Sequence, residues 1–278
     1  MDVRIAVASA TLGSGFTGTM YALIRKCLQP GESTVECATI MQGDTDFARG
    51  RLLSLVEGHP KPRALIGICI QPAPSVVTAF RAAGVPIVLV DELAEGASTV
   101  ASDNFAGGYL AGQHLASLGR KQVALVAGKM HVEGGYNALQ RAKGLHKALA
   151  EKGLPFSLDE VIEAPDYTRK DGLAAMTRIL GERAGTDAVF CAAGDACATG
   201  LLARARERLV KIPDQIAIVG YDDNPLASIS DPPLTTVRQP LEQIAREAHR
   251  LATVSAAEIL ERPTTTLFEP RLVVRQSA

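Results

Sequence analysis

The stretch that decides the fold runs from Gln215 to Pro240 and reads QIAIVGYDDNPLASISDPPLTTVRQP. The segment that ends at Gly220 is apolar, which predicts a buried strand. Asp222 and Asp223 follow at the carboxyl end of that strand, where open α/β sheets bind their ligands. The pair Pro232-Pro233 fixes two φ angles and removes two backbone donors, so a stiff extended crossing is predicted after it. Together these features indicate a chain that passes between two lobes beside a ligand cleft.

Outward from this stretch, short β-branched runs alternate with helical patterns along the chain. The predicted strands are 3–8, 34–40, 64–70, 86–90, 122–127, 161–164, 188–192 and 216–220. The predicted helices are 16–28, 47–57, 75–83, 104–118, 138–152, 169–180, 196–207 and 241–260, before a last strand-like segment at 264–274. Such alternation is typical of parallel sheets with crossover helices. Because the series before residue 103 and the series after it share one rhythm, we expect two doubly wound lobes of the α/β class.

Composition excludes several classes of protein. The chain has 278 residues, 47% of them hydrophobic, which is enough for two separate cores. Its 29 Lys and Arg are balanced by 30 Asp and Glu without a basic run, which argues against nucleic-acid binding by this chain alone. We recognise neither a signal peptide nor an apolar run of about 18 residues, so we expect a cytoplasmic location and no membrane partner. Five cysteines without a C-x-x-C pair fit a reducing compartment.

Neither a metal site nor catalysis is indicated by the sequence. The five histidines show no metal-ligand spacing, and no G-x-S-x-G motif is present. Asp222 and Asp223 are neighbours on an extended segment, so their side chains should point apart and form a poor acid–base pair. We therefore expect no catalytic residues, no metal, no cofactor and no enzyme activity.

A glycine-rich loop leaves one enzymatic alternative open. Residues 13–18 match G-x-G-x-x-G after a strand and before a helix, the context of dinucleotide binding. However, four residues separate the strand from Gly13, and the expected acidic residue comes late, at Asp44. An NAD-dependent oxidoreductase is thus an alternative that a test with NAD would decide. The loop could instead aim Phe16 into a cleft as a stacking face, or Phe16 could be a core residue at a helix start.

Five more residues are candidate ligand contacts, each with a structural alternative. Asp195 opens a helix after a strand, where it is either an N-cap or a ligand contact. Tyr167 lies on a loop past a strand, as a ligand platform or as a cover of the sheet edge. Arg141 lies on a helix, where it contacts a ligand or faces solvent. Asp103 would cap the next helix at the first lobe crossing, and Asp222 is either a ligand contact or a turn residue.

Three segments resemble the lactose-repressor/galactose-repressor (LacI/GalR) family of bacterial transcription regulators. They are 103–119, which begins DNFAGGYLAGQHL, 188–200, which contains AAGDACATG, and 212–237, which contains GYDD and PPLTTV. Together these motifs are highly specific, and the resemblance covers nearly the whole chain. The first two segments are closest to purine-type repressors. Glu92, however, stands where those repressors carry an aromatic residue, which puts purine specificity in doubt.

The resemblance implies a periplasmic-binding-protein-like fold with two lobes, three crossings and an effector in the cleft. We expect an N-terminal lobe of residues 1–103 with 236–262, and a C-terminal lobe of residues 104–235 with 263–278. By matching motif, Phe16 would stack on the effector and Tyr167 would cover it from the other lobe. Arg141 and Asp222 would form hydrogen bonds with it. Asp103 and Asp195 match motif positions too, as caps or as contacts.

The function implied is that of an effector-binding and dimerisation domain of a transcription regulator. It would bind a small polar metabolite, sugar or purine-like, and form a homodimer. Operator DNA would be a partner only through an N-terminal helix-turn-helix headpiece, which the family carries ahead of its first strand and which we do not find before Val3. The alternative from another class is a transport-type solute-binding protein of the same fold.

Overall fold

A computed structural model describes residues 3–9, 15–38, 45–130 and 135–278. The chain divides into two compact units, and it passes from one to the other three times. The first unit comprises Met1–Ser102 with Pro240–Phe268, and the second comprises Asp103–Gln239 with Glu269–Ala278. The two doubly wound α/β units that the sequence predicts are confirmed.

Twelve strands and ten α-helices are found in the described residues. The strands are β1 (Val3–Ser9), β2 (Glu32–Ala38), β3 (Ala64–Ile68), β4 (Ile87–Val90), β5 (Ser98–Ser102), β6 (Val123–Ala127), β7 (Ile162–Glu163), β8 (Ala188–Cys191), β9 (Ala217–Asp222), β10 (Thr235–Arg238), β11 (Thr265–Phe268) and β12 (Arg271–Val273). The helices are α1 (Gly15–Cys27), α2 (Thr45–Glu57), α3 (Pro74–Ala82), α4 (Asn104–Ser117), α5 (Tyr136–Ala150), α6 (Arg169–Glu182), α7 (Asp195–Glu207), α8 (Pro225–Ile229), α9 (Leu241–Thr253) and α10 (Ala256–Glu261). None of these helices is both long enough and apolar enough to cross a lipid bilayer.

The first unit is a six-stranded parallel sheet with helices on both faces. Its strand order is β11-β5-β4-β3-β1-β2. Successive side chains of a strand point to opposite faces, and β1 shows the result. Ile5 and Val7 pack in the core that holds α1 and α9, whereas Ala6 and Ala8 pack in the core of α2 and α3. Burial on both faces explains why these strands read as continuous apolar runs.

The second unit repeats this arrangement with one antiparallel edge strand. Its strand order is β12-β10-β9-β8-β6-β7, and only β12 runs antiparallel to its neighbour. On β8, Phe190 packs with α4 and α5, whereas Val189 and Cys191 pack with α6 and α7. In this way the carboxyl ends of β6, β8, β9 and β10 are brought to one edge of the sheet.

Two helix pairs in the second unit approach so closely that glycine is required at the contact. A Cβ added to Gly108 of α4 would lie 1.9 Å from the carbonyl oxygen of Arg141 on α5. A Cβ on Gly144 of α5 would lie 2.0 Å from the carbonyl oxygen of Phe105. The pair α6 and α7 has the same kind of contact at Gly172 and Gly200. These contacts set how near α5, and with it Arg141, lies to α4.

The crossings fall a few residues from where the sequence analysis placed them. The extended segment after Pro233 is β10, an inner strand of the second sheet that pairs with β9, so the crossing lies at Pro240 and not at 236. The segment 264–274 is two strands in different sheets, because β11 pairs with β5 and β12 pairs with β10. The third crossing therefore follows Phe268 and does not precede residue 263. The helix expected over 241–260 is divided into α9 and α10, and β5 was not among the predicted strands.

The glycine contact between α4 and α5 gives a stability prediction. Gly108→Ala should lower the free energy of unfolding by about 1–3 kcal/mol, because backbone atoms must move to admit the methyl group. The matched control is Gly181→Ala in α6, where no atom lies within 4 Å of the added Cβ. There the better helix propensity of alanine should leave stability unchanged or raise it by up to about 1 kcal/mol. Urea titrations followed by circular dichroism measure both, and equal effects would show that the contact is not tight.

Candidate functional site

The candidate site lies at the carboxyl edge of the second-unit sheet. Asp222 ends β9, Asp195 follows β8 as the first residue of α7, and Tyr167 lies on the loop after β7. The hydroxyl of Tyr167 lies against Gly128 at the end of β6, because a Cβ on that glycine would be 1.9 Å from the Tyr167 oxygen. Three residues that are far apart in the sequence thus meet one edge, as ligand sites in such sheets do.

Asp222 presents its carboxylate to two neighbours. Its Oδ1 accepts a hydrogen bond of 2.7 Å from Nε2 of Gln239. Its Oδ2 lies against Gly194, where an added Cβ would be only 2.7 Å away. The backbone of Asp222 has φ of 102°, a value that L-residues rarely adopt and that is associated with functional positions. This strained backbone at the end of β9 is compatible both with a turn residue and with a ligand contact at Asp222.

Gln239 is a functional candidate that the sequence analysis did not select. The residue is only 4% exposed, and its amide nitrogen donates to Asp222. Its Oε1 is buried and has no hydrogen-bond partner in the described part of the chain. An unsatisfied buried acceptor costs about 1–3 kcal/mol, so such an atom requires an explanation. Its only sequence signal is the position directly after β10, beside the crossing at Pro240.

Asp195 is fully buried and is held by hydrogen bonds. Its Oδ1 accepts from the Thr236 hydroxyl at 2.6 Å, and its Oδ2 accepts from the backbone N–H of Asn224 at 2.9 Å. Burial, followed by the negative charge of Asp222, raises the pKa of Asp195 to about 8, although both hydrogen bonds act in the opposite direction. Asp195 therefore ties the start of α7 to β10 and to the turn that follows β9, which is a positioning role.

Asp223 is anchored away from its neighbour. It forms ion pairs with Arg238 and with Arg275, the latter through a contact of 2.6 Å from Nη2 to Oδ1, and its side chain is almost completely buried. Asp222 instead bonds to Gln239. The two adjacent carboxylates thus have different partners, consistent with the expectation that they make no acid–base pair. The neutralised Asp223 fixes the strand end from which Asp222 projects.

Arg141 is buried in a polar network, so the alternative that it lies on a solvated helix face is wrong. It is 8% exposed, and Cζ of its guanidinium lies 3.7 Å from the centre of the Tyr221 ring. Its Nε donates to Oδ1 of Asn104 at 2.7 Å, and its Nη1 donates to the carbonyl of Ala192 at 2.8 Å. The Tyr221 hydroxyl donates to the same Asn104 oxygen at 3.1 Å. The sequence analysis selected neither Asn104 nor Tyr221 as a site residue.

The other candidates are placed as follows. Oδ1 of Asp103 accepts from the N–H of Ala106 at 2.8 Å, so Asp103 is the N-cap of α4. Tyr167 is 44% exposed with φ of 58°. Phe16 is half-buried near the start of α1 and packs against the core of the first unit, which is the core alternative. Ligand contact by each of these residues stays a prediction.

One sequence expectation, the dinucleotide-binding loop, concerns residues outside the described part of the chain. Gly13, Ser14 and Asp44, on which the dinucleotide interpretation depends, lie there. Among the residues that the structure does describe, no group of three or more His, Cys, Asp or Glu side chains is placed to hold a metal ion. The described edge of the second-unit sheet presents hydrogen-bonding groups, with the guanidinium of Arg141 and the carboxyl groups of Asp195 and Asp222.

Comparison with known proteins places this architecture among regulators. A family model described as a periplasmic binding protein-like domain matches residues 113–278. The regulator CelR of Thermobifida fusca is 32% identical over 226 residues, which is 81% of this chain and 62% of CelR. The repressor PurR of Histophilus somni is 27% identical over 267 residues, 94% of this chain and 77% of PurR.

The solved structures give the same result. A structure described as a complex of the transcriptional regulator CelR with cellobiose superposes with a TM-score of 0.86 at 28% identity, covering 100% of this chain and 85% of that one. These relatives, CelR and PurR, are described as transcription regulators. The chain nevertheless spans less than two thirds of the length of the CelR sequence that it matches.

The raised pKa of Asp195 predicts how stability depends on pH. Between about pH 4 and pH 8 the folded state keeps a proton on Asp195 that the unfolded state has released. This contribution to the free energy of unfolding is complete below about pH 4 and is lost as the pH rises through about 8. Asp195→Asn removes the titration, so the stability of the variant relative to wild type should rise by roughly 3–4 kcal/mol from pH 5 to pH 8.

The measurement is urea unfolding at a series of pH values. The control is Asp159→Asn, an exposed position, which should follow the wild-type curve. If the difference between Asp195→Asn and wild type stays constant with pH, Asp195 is ionised in the folded protein throughout this range.

Proposed function

Since the chain belongs to the periplasmic binding protein-like family, in the form found in LacI-family transcription regulators, we propose that it binds the effector of such a regulator. In this proposal the chain is the effector-binding and dimerisation part, and it works in the cytoplasm. The effector is a small polar metabolite held at the carboxyl edge of the second-unit sheet. DNA binding resides in a helix-turn-helix region outside this sequence.

The single observation that carries the proposal is the pairing of Asp222 with Gln239. The Asp222 carboxylate accepts hydrogen bonds, and the buried Oε1 of Gln239 is a second acceptor that lacks a donor among the described residues. Two neighbouring acceptors fit a ligand that presents neighbouring donors, such as the hydroxyl groups of a sugar. The ion pairs of Asp223 with Arg238 and Arg275 hold this strand end in place before the ligand arrives. Such preorganisation reduces the entropy lost on binding.

The relatives give two effector classes to test. A solved structure is described as a complex of CelR with cellobiose, which supports a sugar. The resemblance of segments 103–119 and 188–200 to purine-type repressors makes a purine the second candidate. The acceptor pair favours the sugar, because a purine offers fewer donors to a carboxylate and an amide oxygen. Glu92, which stands where purine-type repressors carry an aromatic residue, supports the same choice.

Regulation would follow from linkage. An effector can shift an equilibrium between two arrangements of the protein only by its differential affinity for them. In the intact regulator, that shift would change the geometry of a dimer and so its affinity for operator DNA. The near-neutral charge of this chain, 29 basic against 30 acidic residues, fits a part that leaves phosphate contacts to another region.

A thermal-shift screen identifies the effector class. Sugars, nucleobases and NAD are compared at equal concentration, and a true ligand at about 100 times its Kd should add roughly 2.7 kcal/mol of stability.

For the ligand found, Asp222→Ala should weaken binding by one to two orders of magnitude, because a hydrogen bond to a charged group is worth about 1.5–3 kcal/mol. Gln239→Ala should weaken it by about tenfold, while Asp159→Ala serves as the exposed control. Unchanged affinity in Asp222→Ala, with the fold intact, would remove Asp222 from the site, and stabilisation by NAD would favour the oxidoreductase.

The dimer is a separate prediction. We expect a symmetric homodimer in which α2 and α3 of the first unit form part of the interface, where Phe47 on α2 is an exposed large apolar side chain. A two-fold interface must be self-complementary and should bury more than about 1,000 Å². Sedimentation at micromolar concentration should give a dimer mass, and Phe47→Glu should shift the equilibrium towards monomer. Arg49→Glu, on the same exposed part of α2, is the control, because it adds a negative charge without removing an apolar side chain. A monomer at micromolar concentration for the wild-type chain contradicts the prediction.

A further inference from the structure

A groove between α1 and α9 lies wholly within the first unit and shares no residue with the candidate effector site. Its volume is about 500 Å³, which falls within the range of about 300–1,000 Å³ that is usual for small-molecule sites. Its apolar part is formed by Leu23 and Cys27 of α1 and by Ala245 of α9. Leu23 and Cys27 are half-buried and Ala245 is buried, so this part of the groove continues the core of the first unit.

The polar side chains of the groove carry an excess of positive charge. Among the described residues that line the groove, Lys26 and Arg246 are basic and Glu242 is acidic. Nη1 of Arg246 lies 3.8 Å from Oε2 of Glu242, and both side chains are well exposed, so their attraction is weak. Lys26 makes no ion pair with any residue that the structure describes. Two cations are therefore available to one ligand.

The other polar residues that line the groove, Gln29 and His249, add no negative charge to it. His249 also lines the groove, and its Nε2 lies 2.7 Å from Oε2 of Glu32. That carboxylate oxygen accepts a further hydrogen bond of 2.8 Å from the backbone N–H of Gln29. Glu32 is thus occupied within the protein and does not line the groove. A ligand that entered would meet donors and cations above an apolar surface.

From this arrangement we propose that the groove binds a small phosphate monoester with an apolar body. The phosphate dianion is held by Lys26 and Arg246, and the body of the ligand covers Leu23, Cys27 and Ala245. A dianion suits two separate cations, since each neutralises part of its charge. The competing explanation for Lys26 is that it complements the carboxyl end of α1, where Arg25 lies in the same last turn. Arg25 does not line the groove, so it serves as the matched control.

Cys27 offers a direct measurement of occupancy. Its thiol lies in the groove, and burial raises its pKa while the positive charge of Arg246 lowers it. The rate of alkylation by N-ethylmaleimide, followed by peptide mass spectrometry, is recorded as phenyl phosphate is added. Cys69 is exposed and lies outside the groove, so its alkylation is the internal reference. Phenol and inorganic phosphate test the body and the charged group separately.

Phenyl phosphate should protect Cys27 at lower concentration than phenol or inorganic phosphate, without protecting Cys69. Lys26→Ala with Arg246→Ala should raise the concentration for half-protection by roughly fivefold or more. Arg25→Ala should leave that concentration unchanged, and Glu242→Gln should lower it by about twofold. Asp222→Ala should have no effect, which separates this groove from the effector site. Absence of protection, or equal protection in Arg25→Ala and in the Lys26–Arg246 double variant, overturns the proposal.

Discussion

The buried carboxyl group of Asp195 is the constraint on which the candidate site depends. It receives hydrogen bonds from Thr236 on β10 and from the backbone of Asn224 after β9, while its own residue begins α7 after β8. One side chain thereby joins the start of α7, which follows β8, to the turn after β9 and to β10. A buried polar group is tolerated only when it is hydrogen-bonded, so these strand ends cannot separate without cost. The positions of Asp222 and Gln239 follow from that restraint.

Asp222 and Asp223 show how neighbouring carboxylates acquire different roles. Asp223 is neutralised by Arg238 at the end of the inner strand β10 and by Arg275 just after the edge strand β12. Asp222, by contrast, accepts a hydrogen bond from the neutral amide of Gln239. The two adjacent carboxylates at this edge consequently differ in their partners, since Asp223 pairs with arginines and Asp222 with an amide. Positive φ angles at both residues direct the two side chains to their different partners.

The fold could be predicted from the sequence because its signals are local. Alternating apolar runs and helical patterns predicted both units, and the GYDD segment located the strand end that carries Asp222. The strands β10 and β11 were misassigned for a different reason. Each is four residues long, and only pairing with β9 or β5 decides to which sheet it belongs. Strand pairing between distant segments leaves no periodicity in the sequence.

The site was predicted in part, for equally physical reasons. Residues with a recognisable chemical signal, such as Asp195 after a strand, could be selected although their roles could not be assigned. Gln239 and Asn104 carry no such signal, because a polar residue beside a crossing or at a helix start is ordinarily exposed. Their importance arises from burial, which places Asn104 between Arg141 and Tyr221 and leaves Gln239 with an unpaired acceptor. Burial is a property of the assembled unit.

Glycines near the strand ends are the remaining link between sequence and site. A Cβ on Gly128, Gly194 or Gly220 would lie 1.9 Å, 2.7 Å and 2.4 Å from side-chain oxygens of Tyr167, Asp222 and Asp195, respectively. Each glycine therefore makes room for one candidate residue that comes from a different strand. A side chain at any of the three positions would displace an oxygen atom of the site before it disturbed the sheet. The polar side chains at this edge therefore require glycine at the positions that they contact. Each glycine and its partner are distant in the sequence, by up to 39 positions.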